Sequence, residues 1–143
     1  MKADDGLGAL LDALVTKASR PRGRALSFLT RSSVTSEQAV LLSLVLSEPG
    51  CTPTTLAAKM SLSLPSVSQM IERLVTAGLV RRIEHPRDRR KRTIEVTPKS
   101  KTFLARLRSV RIEELESALG PLSASTRTRL ASAIVGALRD LGG

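Results

Sequence analysis

Apolar residues fall at helical spacing along most of this chain. Leu7, Leu10, Leu11, Leu14, Val15 and Ala18 share one helical face and predict a helix over 7–18. Asp4 or Asp5 supplies the negative charge that a helix N-terminus favours. Pro21 should break or kink this helix, because it lacks a backbone donor. A second piece over about 23–30 carries Ala25, Leu26, Phe28 and Leu29. Thr35 and Gln38 have the spacing of a capping box and predict a helix over 36–47 that buries Ala39, Val40, Leu42, Leu44 and Val45. Glu48-Pro49-Gly50 stops it. Thr52 and Pro53 open a short helix ending near Met60, with Leu56, Ala57 and Met60 inward. After the turn Ser61-Leu62-Ser63, a helix over 64–77 places Val67, Met70, Ile71 and Leu74 on one face, and Gly78 stands at its left-handed C-terminal position.

The period then changes from helical to alternating. Leu79 and Val80, and later Ile94 and Val96 against Thr93 and Glu95, read as two half-buried strands. The polar tip between them, His85 to Arg92, predicts a β-hairpin with a long basic loop. Helical spacing resumes at Pro98 and continues to about Leu119 with Phe103, Leu104, Leu107, Val110, Leu115 and Leu119. Gly120-Pro121 ends that helix, and a last one runs from Ser123 or Ser125 to Leu141. Two helices joined by a three-residue turn and followed by a hairpin make a winged helix-turn-helix. The fold class is mainly α with a small β-hairpin wing (α+β).

Charge sharpens this outline. The 143 residues carry a net charge of +10. From Arg81 to Arg92 there are seven cations (81, 82, 87, 89, 90, 91, 92) against Glu84 and Asp88, a local net of +5. Such a cluster repels itself unless a polyanion lies opposite. The bland alternative is a solvated charged loop. Phe28 and Phe103 are the only aromatics, which argues against a base-stacking platform. Cys51 and His85 are each alone, so no Cys/His metal site can form within one chain and no disulfide within it. No cofactor and no catalytic constellation is expected. The absence of a long apolar run predicts no membrane span, and the lack of a signal-peptide pattern and the single cysteine suit a cytoplasmic location.

The run LAAKMSLSLPSVSQMIERLVTAGLV, with Asp88-Arg89-Arg90 followed by Val96-Thr97-Pro98, resembles the MarR family of bacterial transcriptional regulators over roughly residues 25–120. Val96 stands for the family's usual Leu, Ser100 for its usual Gly, and Pro65 for a small polar residue. The resemblance implies a homodimeric DNA-binding repressor, released in many members by small aromatic acids or by oxidation. On this reading residues 1–34 and 98–143 form a helical dimerisation region and 35–97 the winged helix-turn-helix.

The recognition helix then offers Ser63, Pro65, Ser66, Ser68, Gln69 and Arg73 to the major groove of double-stranded DNA, with Glu72 on the same outer face. In the wing, Arg90 suits insertion into the minor groove, where a narrow groove concentrates negative potential. Asp88 would orient a neighbouring arginine, and Arg87, Arg89, Lys91 and Arg92 would neutralise phosphates. Thr52 and Thr54 read better as helix capping than as phosphate contacts. Arg22, Arg24 and Arg31 are the residues expected to hold a small aromatic or anionic effector. Cys51 reads as a small buried hydrophobe rather than a redox sensor. The competing reading is a basic module that binds RNA or an anionic surface without sequence specificity; an enzyme is not expected.

Overall fold

The computed structural model describes residues 6–19, 23–85 and 88–142, with the backbone alone for residues 19, 85 and 88–91. Among the described residues the order is α1 (Leu7–Ser19), α2 (Arg24–Arg31), α3 (Ser36–Ser47), α4 (Pro53–Met60), α5 (Leu64–Thr76), β1 (Val80–His85), β2 (Asp88–Val96), α6 (Pro98–Leu119) and α7 (Ala124–Asp140). The fold is mainly helical with one antiparallel hairpin. Packing divides the chain into two compact units, Met1–Gly23 with Arg111–Gly143, and Arg24–Val110. The break expected at Pro21 lies outside the described residues.

Side-chain caps fix most helix starts in the larger unit. At α3 the Gln38 amide donates to Thr35 Oγ1 at 3.2 Å, and the Thr35 amide donates to Gln38 Oε1 at 2.9 Å. This is the reciprocal capping box. Thr52 caps α4 through the Thr55 amide at 3.2 Å, and Ser63 caps α5 through the Ser66 amide at 3.3 Å. The turn between α4 and α5 is tight because Ser61 takes a left-handed conformation, φ 54°. A β-carbon is strained there, and the turn's closing hydrogen bonds offset part of that cost: Leu62 N to Ala57 O at 3.0 Å and Ser61 N to Ala58 O at 3.2 Å. Gly78, φ 69°, ends α5 as its sequence position predicts, with Leu79 N bonded to Leu74 O at 2.8 Å.

The core of this unit draws on every element it contains. Leu41, Leu42, Leu56, Val67, Ile71 and Ile94 are fully buried, joined by Leu29, Val45, Leu74, Leu79, Val80, Leu104 and Leu107. Phe28 of α2 stacks on Phe103 of α6 with ring centroids 5.4 Å apart. Two expectations are corrected here. Val40, expected inward, is exposed, and Leu41 takes its place in the core. Residues 39–42 and 44–46 are all apolar, so helical period alone does not choose the inner face; the neighbours of α3 do. The long basic loop is also shorter than expected. The strands continue through His85 and from Asp88, so residues 88–92 belong to β2. The register pairs Val80 with Val96 through Glu84 with Arg92, then shifts between Glu84 and His85, so that His85 pairs with Asp88. Backbone pairing needs no apolar side chain, and a hairpin projecting into solvent carries charge on both faces at little cost.

Candidate nucleic-acid interface

The helix-turn-helix leaves one side of α5 in solvent. Val67, Ile71 and Leu74 hold the helix to the core, while Ser63, Pro65, Ser66, Gln69, Glu72 and Arg73 are exposed and Ser68 is half-buried. Two of these hydroxyls are already engaged: Ser63 Oγ and Ser66 Oγ lie 2.8 Å apart, next to the cap. Gln69, at the middle of the outer face, is the residue there with both a donor and an acceptor on one planar group, the arrangement that matches adenine's major-groove edge. Arg73 lies a turn further on. It lines a cleft of about 430 Å³ with Ser32, Gln38, Leu74, Lys99 and Phe103 among its other walls.

The hairpin begins at the C-terminal end of α5 and is tied there. Thr97 Oγ1 donates to Gly78 O at 2.8 Å, and Lys99 Nζ donates to Ala77 O at 2.8 Å, so a hydroxyl and a cation satisfy carbonyls at the helix end. Ile94 N bonds to Cys51 O at 2.9 Å, which fixes β2 against the segment before α4. Of the expected wing residues, Arg92 is exposed on β2 opposite Glu84. Asp88, Arg89, Arg90 and Lys91 lie on β2, with their side chains outside the described set, and Arg87 lies outside the described residues.

The remaining candidates fall elsewhere. Thr52 is a helix cap, and Thr54 is exposed in the first turn of α4. Arg24 and Arg31 are exposed at the two ends of α2, and neither lines the cleft beside Arg73; Arg22 lies outside the described residues. Cys51 is buried, its Sγ donating to Glu48 O at 3.0 Å, and burial pushes its thiol above the ordinary range. Among the described residues no cluster of His, Cys, Asp or Glu is placed to hold a metal ion, and no helix is long and apolar enough to cross a membrane.

One contact had no place in the sequence expectations. Arg82 Nη1 of β1 lies 2.7 Å from Glu72 Oε1 of α5. The pattern did hold a clue: Arg82 shares a strand face with Val80, so it points toward the core side, and Glu72 is the sole acid of α5. Its neighbour Arg81 points the other way and pairs with Glu95 across the hairpin at 3.0 Å.

These elements define a winged helix-turn-helix with a polar outer helix face and a cation-bearing hairpin. Residues 34–91 match the family model described as MarR family. That segment, about two fifths of the chain, is similar to the MarR family. Among solved structures it shares its fold with a point mutant of S. aureus MepR, at 19% identity over 95% of this chain and 98% of that one, TM-score 0.73. A point mutant of E. coli MarR matches at 22% identity over 93% and 96%, TM-score 0.72. A second S. aureus MepR mutant, bound to an oligodeoxyribonucleotide, matches at 19% identity over 95% and 98%, TM-score 0.69. A search of curated proteins returns no match.

Proposed function

We propose that this chain is a DNA-binding transcriptional repressor that reads a palindromic duplex as a homodimer, α5 in the major groove and the wing in the adjacent minor groove. The observation that carries it is the pairing of two unlike surfaces on one unit. The outer face of α5 is polar and nearly free of charge up to Gln69, which suits base edges, while the hairpin beside it concentrates the cations. A non-specific binder gains most from cations on both. Base contact is assigned to Ser63, Pro65, Ser66, Ser68, Gln69 and Arg73, minor-groove contact to Arg90, and phosphate contact to Arg87, Arg89, Lys91 and Arg92, with Asp88 orienting a neighbour. The bound oligodeoxyribonucleotide of the MepR mutant supports the polyanion as partner.

Dimerisation is supported by the other unit. Leu7, Leu11 and Val15 of α1, Ile112 and Leu115 of α6, and Ile134, Val135 and Leu138 of α7 are all exposed. Apolar stripes on three helices are a surface for a second copy. An effector is assigned to the cleft beside Arg73: Arg73 and Lys99 supply charge for an anionic group, and Leu74, Leu79 and Phe103 supply apolar wall.

Selection of bound fragments from genomic DNA tests the function, followed by binding to the recovered palindrome and to random duplex at one salt concentration. Preference for the palindrome is expected. Equal binding to both overturns the reading and leaves a non-specific basic module. Thermal-shift screening with aromatic carboxylates tests the effector; stabilisation that disappears in Arg73→Ala is expected, and none with wild type removes it.

A further inference from the structure

Glu72 is an acid on the face of α5 assigned to DNA, one turn beyond Gln69 and one turn before Thr76. Phosphates repel such a group unless it is neutralised. Arg82 neutralises it at 2.7 Å, and the manner in which it does so is unlike an ordinary surface pair. The Arg82 side chain is 30% exposed, against 65% for the adjacent Arg81. Strand alternation explains the difference. Val80, Arg82 and Glu84 share one hairpin face with their partners Val96, Ile94 and Arg92. Val80 and Ile94 are in the core, and Glu84 and Arg92 are in solvent. Arg82 therefore stands where the hairpin leaves the core and becomes a free arm. At that point its guanidinium reaches across to the recognition helix.

We propose that the Glu72–Arg82 pair is a strut that sets the angle between α5 and the wing, and through it the spacing of the two elements along DNA. Both are positioning residues. Beyond Ile94 the one buried side chain among the described residues of the hairpin is Thr93, whose hydroxyl donates to Ile83 O within the hairpin itself, so an ion pair to α5 at the root has leverage over the arm's direction. A planar guanidinium against a carboxylate is a directional contact. The Arg81–Glu95 pair lies within the hairpin and ties it to no other element, which makes Arg81 the control.

The test uses the full chain and does not need DNA. Residual dipolar couplings are measured for amides of α5 and of the hairpin in wild type, Arg82→Ala, Glu72→Ala and Arg81→Ala. Both exchanged positions are solvent-facing or half-exposed, and Ala is a good helix former at 72, so folding is retained and circular dichroism verifies it. One alignment tensor is expected to fit helix and hairpin in wild type and Arg81→Ala. In Arg82→Ala and Glu72→Ala the hairpin couplings are expected to depart from it. A single tensor in all four proteins overturns the strut. The second readout rests on the DNA-binding reading: affinity for the tightest duplex that wild type selects from a random library. Each strut variant is expected to lose about tenfold there and little on random duplex, with the salt slope unchanged. Equal losses on both duplexes with the slope lowered by about one make Arg82 a phosphate contact and overturn the proposal. If wild type selects no duplex, the DNA reading fails while the couplings still decide the strut.

Discussion

α5 and α7 are of similar length and carry apolar residues at the same spacing, yet they end in opposite states. In α5, Val67, Ile71 and Leu74 are at most 1% exposed, while α7 buries no residue fully, with Ile134 at 46% and Leu138 at 55%. The first helix packs in a unit whose every element contributes to one core. The second keeps its stripe in solvent. An apolar period thus states that a helix face is to be covered; it does not state by what. For α5 the cover is the same chain. For α7, on the homodimer proposal, it is another copy.

Truncating the two kinds of stripe should separate them most clearly. Leu42→Ala removes a fully buried side chain and is expected to cost about 2–5 kcal/mol. That loss should be the same in denaturant melts at any protein concentration. Leu138→Glu should instead leave the larger unit folded and shift the mass seen in sedimentation toward the 15.3 kDa monomer. If wild type is already a folded monomer at micromolar concentration, the contrast between the helices has another cause.

The wing lies outside both stripes, so its substitutions should touch neither melt. Arg90→Ala is expected to weaken binding to a selected duplex by roughly 1–3 kcal/mol per subunit, with little change in thermal stability. Lys91→Ala should weaken all duplexes alike and lower the salt slope by about one. Titrations with selected and random duplex at several salt concentrations check this; identical patterns for the two variants would show that the wing does not read groove shape.

A smaller effect tests how well the larger unit is packed. Ser100 is fully buried in the first turn of α6, and its Oγ has no hydrogen-bond partner among the described residues. Ser100→Ala removes that unsatisfied group and should stabilise the protein by about 1 kcal/mol, seen as a higher melting temperature. A lower one would mean that a bound water satisfies the hydroxyl. The smallest effect concerns Cys51, whose thiol is raised above its ordinary 9.0 by burial, with Glu48 adding to the shift. A raised thiol keeps the folded state protonated where the unfolded chain ionises. Its contribution is complete below about pH 9 and is lost as pH rises further. Cys51→Ala should therefore flatten the alkaline limb of a stability profile, and alkylation of native Cys51 near neutral pH should be slow.

Much of the fold was legible along the chain because its signals are local. A capping hydroxyl and the amide it accepts from are three residues apart, so Thr35 and Thr52 announced their helices. Gly78 announced the end of α5 by the conformation only it adopts readily. The basic hairpin and the polar outer face of α5 followed from period and charge, and these led to the resemblance. What the sequence could not decide depends on which surfaces meet. Val40 and Leu41 are equally apolar neighbours, and only the packing around α3 put one in solvent and the other in the core. The extent of the hairpin was decided by backbone pairing, to which side-chain polarity is nearly blind. The approach of Arg82 to Glu72, ten residues away in sequence and on another element, came from the hairpin folding back against α5. A linear pattern records each residue's preference for water or for a partner; the partner's identity is a distance in space, and tertiary structure alone sets it.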